Sequence, residues 1–177
     1  DWYPSLAIWI TALILLINYE FPFGLRLKDK GLPGNISISI SVGLVVVFGA
    51  SAVFEPFSEK AWSLFFVGIF YNTSREIIKD VQDMEGDKGR NTLAMRIGSE
   101  NARTVAWVMS ILALASVLLP FAIGIFPPLH VVLVIPAVMT LMMVKGRIII
   151  GEDASASSLL KKSMLLCLAA LLTSSLI

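Results

Sequence analysis

An all-α fold, a multi-spanning transmembrane helical bundle forming one membrane domain over residues 1–177, is what the sequence predicts. Three observations carry that prediction. Hydrophobic residues make up 56% of the chain, more than a soluble domain of this length needs. Apolar runs of bilayer length recur and are nearly free of charge. The connections between those runs alternate between basic and non-basic, as spans under the positive-inside rule require.

Six spanning segments are expected. The first, residues 2–19, has Trp2, Tyr3 and Trp9 toward one end and Tyr19 at the other, which suits aromatic belts at two interfaces. The second, 36–54, begins after Pro33, Gly34 and Asn35, and Pro56 closes the loop that follows it. Its Gly43, Gly49, Ala50, Ser51 and Ala52 suit close helix packing. The third, 60–83, carries a run of charge on its last turns and is ended by Gly86 and Gly89. The fourth, 102–119, has Ser99 as its N-cap and Pro120 as its stop. Pro127 and Pro128 open the fifth, which runs to residue 144, and Pro136 should kink it. Ser157 or Ser158 opens the sixth, which continues to the end. Each is about 17–24 residues long, the length a bilayer core requires.

Orientation follows from the connections. Arg26, Lys28 and Lys30 lie in the first; Lys88, Arg90, Arg96 and Arg103 lie in and just after the third; Lys145, Arg147, Lys161 and Lys162 flank the fifth. The second has Glu55, Glu59 and only Lys60, and the fourth, 122–128, has no charge. The expected location is therefore a cell membrane, multi-pass, with the charged loops on the cytoplasmic side.

A formal net charge of +1 gives no reason to expect a nucleic-acid partner. With a single cysteine, Cys167, and a single histidine, His130, a Cys/His zinc site is excluded. The chain opens on Asp1 rather than Met, and no signal-peptide pattern precedes the first apolar run, so the native start is expected to lie upstream.

The chemistry is concentrated in 71–92, YNTSREIIKDVQDMEGDKGRNT. Arg75, Glu76, Lys79, Asp80, Asp83, Glu85 and Asp87 follow an apolar run without a break. Facing lipid, at roughly 2.5–3.5 kcal/mol per charge, they would cost on the order of 20 kcal/mol, so they must face water, protein or an ion. On a continuing helix Glu76, Asp80, Asp83 and Asp87 would share one stripe, with successive carboxylates about 4.5–6 Å apart along the axis. An all-oxygen stripe suits a hard cation such as Mg²⁺, which takes one or two carboxylates together with waters and substrate phosphates. Lys79, Lys88 and Arg90 stand where the same phosphates could be met, and Asn72 lies one turn before Glu76. The bland alternatives are a solvated salt-bridge network, such as Glu76 or Asp83 with Lys79, topogenic basic residues, and an interhelical hydrogen bond for Asn72.

The stretch 75–98, REIIKDVQDMEGDKGRNTLAMRIG, resembles the second aspartate-rich motif of the UbiA-type intramembrane prenyltransferases. The D-x-x-x-D of that motif reads Asp83-Met-Glu-Gly-Asp87, with Asp80 three residues before it, Thr92-Leu93 after it and Ile97-Gly98 further on. Within the family the text is most similar to the archaeal digeranylgeranylglyceryl phosphate synthases, and KDKGLPGNISISISVGLVVVFGA, 28–50, resembles the same branch.

The resemblance implies a nine-helix bundle around a cavity, with a prenyl diphosphate held through Mg²⁺ between two aspartate-rich motifs. It implies transfer of a geranylgeranyl group from geranylgeranyl diphosphate to geranylgeranylglyceryl phosphate, a step of archaeal ether-lipid biosynthesis. The partners so implied are the prenyl diphosphate, a lipid-like acceptor and the lipid bilayer. Asp83 and Asp87 would be catalytic through the metal, with Asp80 as a further ligand. Lys28, Asn72, Lys79, Lys88 and Arg90 would bind substrate, Lys28 by matching a family lysine. Phe23 or Leu27 stands where the family often has a tyrosine, and Tyr19 is not carried over. The family's first motif, of the N-D-x-x-D-x-x-x-D kind, has no counterpart here. The six segments match the family's fourth to ninth helices, so the first three are expected to be missing and the active site incomplete without them. Two further functions remain open: prenylation of an aromatic acceptor such as a quinone or haem precursor, and a transporter or ion pathway, since intramembrane carboxylates mark those too. A transporter usually places its site at the midplane of repeated, interrupted helices. Here charge gathers at one face and no repeat is found.

Overall fold

A computed structural model describes residues 2–86 and 89–177, and among them every regular element is helical. Seven α-helices follow one another: α1 (Tyr3–Glu20), α2 (Leu32–Ala52), α3 (Glu59–Gln82), the short α4 (Leu93–Ile97), α5 (Ser99–Ala122), α6 (Ile135–Ile149) and α7 (Asp153–Leu176). Single 3₁₀ segments, Leu27–Asp29 and Pro128–Val134, precede α2 and α6.

Among the described residues five helical segments are long and apolar enough to cross a membrane: α1, α2, α5, Pro128–Ile149 and α7. That is one fewer than the six expected. The exception is α3, which has 24 residues but carries Glu59 and Lys60 on its first turn and Arg75, Glu76, Lys79 and Asp80 on its last. It is nevertheless the hub of the bundle, packing on α2, α5 and α7, while α6 lies on α7 and α1 lies outermost on α2. No residue of α1 is buried.

Hydroxyls and small residues fix α3 to its neighbours, as expected where lipid gives helices no hydrophobic reason to associate. The Tyr71 hydroxyl meets Ser163 Oγ of α7 at 2.8 Å, and Ser163 donates to the Ala137 carbonyl of α6 at 2.6 Å. Ser74 donates to the Ala106 carbonyl of α5 at 2.8 Å and lies 2.9 Å from Ser110 Oγ. Toward α2, a Cβ at Gly43 would stand 2.8 Å from the Phe65 ring and 3.0 Å from its carbonyl oxygen, so the two helices meet backbone to side chain only because residue 43 is glycine. Gly49, expected to share this role, has open space where its Cβ would be.

The prolines act differently from their sequence reading. Pro120 does not stop α5, which runs on to Ala122; it is buried there, and its carbonyl accepts from the amides of Ile125 and Phe126 to turn the chain. Pro136 does not kink a long helix. It occupies the first turn of α6, where its missing N–H is no loss, and the segment before it is 3₁₀. The start of α2 falls at Leu32, with Pro33, Gly34 and Asn35 inside the first turn. Gly98, not Ser99, is the N-cap of α5, and α7 begins at Asp153, a turn earlier than expected.

The helices run up and down, and cross-loop contacts define two ends. At one, the Arg90 guanidinium reaches the Lys28 carbonyl, and Arg103 at the start of α5 pairs with Asp153 at the start of α7. At the other, Lys60 lies over the Phe126 ring and Ser5 meets Ser51. The basic connections therefore share one end of the bundle and the non-basic ones the other.

Candidate functional site

The third helix delivers its charge to the basic end of the bundle. Its last regular residue is Gln82. Asp83 is the C-cap, with its amide bonded to the Lys79 carbonyl, and the chain then turns, the Gly86 amide closing on the Asp83 carbonyl. The regular acidic stripe therefore ends at Asp83, and Gly86 and Gly89 come after the helix has already stopped. Asp87 and Lys88 lie outside the described residues. Asp80 is half-buried and Asp83 exposed. Both sit at a helix C-terminus, whose unsatisfied carbonyls favour a cation.

Two neighbours shape this end of the helix. From the first turn of α2, Asn35 Nδ2 donates to Asp80 Oδ2 at 2.9 Å. One turn further along, Ser39 Oγ donates to the Asn35 carbonyl at 2.6 Å and accepts from Asn72 Nδ2 at 3.1 Å. Asn72 thus ties α3 to α2 through a buried hydroxyl, the interhelical role weighed for it from the sequence. The connection between α1 and α2 forms the second neighbour. Gly31, at φ 68°, lies so close to the chain after the acidic turn that a Cβ would be 2.9 Å from the Leu93 amide nitrogen. Arg90 Nη2 donates to the Lys28 carbonyl at 3.1 Å, and its Nε lies 3.7 Å from Asp29 Oδ1, while Arg26 pairs with Asp29 at 2.9 Å. The two basic connections are thereby seated on one another.

The cations expected to meet phosphate are distributed around this platform. Lys28 is half-buried and pairs with Glu20. Lys79 pairs with Glu76 at 3.3 Å, and Arg75 reaches the same carboxylate at 3.0 Å, which is the salt-bridge network offered by the bland reading. Arg90 and Lys28 are brought together; Asn72 is set deeper, between the helices.

Tyr19 is a residue that sequence matching passed over. It is half-buried at the end of α1, the helix that enters the connection carrying Lys28 and Asp29. Asn35 was read only as a helix-start signal, yet it is the group that contacts Asp80. Neither is marked by the acidic text itself, because α2 meets α3, and α1 meets α2, only through packing.

The donor set fits a hard divalent ion in kind, being carboxylate oxygen at a helix C-terminus. Among the described residues no group of three or more His, Cys, Asp or Glu gathers to hold a metal. Asp80 and Asp83 are therefore the described part of the set.

The UbiA prenyltransferase family matches residues 2–171. The chain belongs to that family. Among its UbiA relatives, the digeranylgeranylglyceryl phosphate synthase of Methanopyrus kandleri is 34% identical over 173 residues, covering 96% of this chain and 62% of that protein. The protein of the same name from Halobacterium salinarum is 32% identical over 171 residues, covering 94% and 59%. That from Methanosarcina mazei is 36% identical over 133 residues, covering 73% and 44%. The chain thus spans about three fifths of the length of the first two relatives. No solved structure gives a significant match. Membership of a prenyltransferase family removes the transporter reading.

Proposed function

We propose that this UbiA chain is part of an intramembrane prenyltransferase of archaeal ether-lipid synthesis, one that moves a geranylgeranyl group from its diphosphate to the free hydroxyl of geranylgeranylglyceryl phosphate. The observation that carries the proposal is the placement of Asp80 and Asp83 at the C-terminal end of a central helix, with Lys28, Lys79 and Arg90 on the same end of an apolar bundle. The names of the relatives supply the substrate class.

Asp83, Asp87 and Asp80 would hold Mg²⁺, which when bound draws charge from the diphosphate and makes it a better leaving group. Lys79, Lys88, Arg90 and Lys28 present positive charge to the phosphate oxygens. Lys79 and Lys28 exchange an internal carboxylate partner for the substrate as they do so. The bond between the allylic carbon and the diphosphate oxygen breaks with its electron pair leaving on the diphosphate. The acceptor oxygen then bonds to that carbon and gives its proton to the released diphosphate. The apolar helices keep water from the developing cation, which would otherwise be hydrolysed.

The reaction is tested with the full-length protein, purified from a host that lacks such enzymes. Turnover with geranylgeranylglyceryl phosphate, and none with an aromatic acceptor, is the expected result; preference for the aromatic acceptor would overturn the proposed substrate. The positive-inside rule supports a cytoplasmic location for the acidic turn. In a Cys167→Ser background, Gly89→Cys should label only from the cytoplasm and Ile125→Cys only from outside. Labelling of both from one side would contradict the topology.

A further inference from the structure

We propose that Asn35 is a positioning residue for the acidic site, holding the Asp80 carboxylate in the orientation that a divalent ion requires; this rests on the prenyltransferase reading above. The contact is specific in chemistry. A carboxylate only accepts, so the Asn35 amide must be the donor to Asp80 Oδ2, at 2.9 Å. One fixed oxygen sets the plane of the carboxylate and with it the direction of the other oxygen. Asn35 is itself immobilised. It is buried at 7% exposure, its carbonyl accepts from Ser39, and its amide bonds to the Gly31 carbonyl at 3.2 Å.

The mount beneath it is stiff for a second reason. Gly31 is in the left-handed region and abuts Leu93, and a Cβ on Gly34 would collide with the Leu27 carbonyl. Neither residue can shift without moving the connection that also receives Arg90. Asn35 therefore reports the position of α2 to the end of α3 through one hydrogen bond. Groups in this position, which orient a ligand without touching the metal, typically matter by 10–100-fold in affinity or activity.

The experiment uses the full-length protein with geranylgeranyl diphosphate and Mg²⁺. Two quantities are read: the Mg²⁺ concentration for half-maximal turnover, and the Mg²⁺ concentration at which the diphosphate raises the thermal midpoint. Asn35→Ala is expected to raise both by about tenfold while leaving the midpoint without ligand near that of the wild type. Asn35→Leu keeps the branched shape and loses the donor without adding charge, and should behave alike; it serves if the alanine variant does not fold. Combined with Asp80→Asn, either change should add little, because Asn35 acts through Asp80. A lower unliganded midpoint with both Mg²⁺ dependences unchanged would overturn the inference and leave Asn35 a helix-packing residue. So would losses that multiply in the double variant. A wild-type protein indifferent to Mg²⁺ in both readouts would overturn the prenyltransferase reading itself, an outcome distinguishable from the others because no variant is needed to see it.

Discussion

Asp83→Asn in the full-length enzyme is expected to lower turnover by about 10²-fold or more, equivalent to about 2.7 kcal/mol of transition-state stabilisation. The substitution keeps size and polarity and removes the charge. Its effect on folding should be small, because Asp83 is exposed and caps α3 through its backbone amide, not its side chain. The side chain is thus free of structural duty at the place where α3 ends and its carbonyls point toward water. If the carboxylate holds Mg²⁺ against the diphosphate, the variant loses Mg²⁺-dependent diphosphate binding while its thermal midpoint stays that of the wild type. A titration in which Asp83→Asn binds the prenyl diphosphate with the original Mg²⁺ dependence would sink the metal role. Asp80→Asn should have an equal or smaller effect.

The helical architecture was legible because hydropathy and charge act over whole segments, and a misjudged boundary leaves the pattern intact. The same averaging hid what depends on one residue. Pro120 reads as a stop, yet a proline near the end of a helix is tolerated when its carbonyl finds the amides that follow, here those of Ile125 and Phe126. Pro136 reads as a kink, but the segment before it winds as 3₁₀, so the proline meets only the first turn of α6. At the candidate site, the acidic text drew attention to Asp80 and Asp83 because carboxylates at a membrane face are rare and need a reason. It could not reveal Asn35 or Tyr19. Asn35 lies 45 positions from Asp80, and only the packing of α2 on α3 brings them together. The third segment was expected to end at residue 83 and α3 ends at Gln82, so only the stripe's continuation to Asp87, outside the described residues, went past the helix.

Arg103 was read from the sequence as a topogenic charge, and the structure gives it a different task with a large expected effect. It makes a two-point contact with Asp153, Nε to Oδ1 at 2.9 Å and Nη2 to Oδ2 at 2.7 Å, and Nη1 reaches Glu100 at 2.6 Å. The side chains of Arg103 and Asp153 are only 14% and 10% exposed. Together with Met84 and Glu85 they line a recess of about 520 Å³ directly under the acidic turn, so the pair ties α5 to α7 where both begin. Removing Asp153 takes two charge-assisted hydrogen bonds from Arg103 and leaves it only Glu100, and Asp153→Ala is expected to destabilise the protein by about 1.5–3 kcal/mol. The loss should appear as a lower thermal midpoint without ligand. In whatever fraction stays folded, the Mg²⁺ requirement should be unchanged, because neither residue contacts Asp80 or Asp83. Replacing both, as Arg103→Met with Asp153→Leu, should recover much of the midpoint, since no unpaired charge is then left behind. An Asp153→Ala protein that melts like the wild type but needs more Mg²⁺ would reverse the assignment, making this pair part of the site and not of the scaffold beneath it.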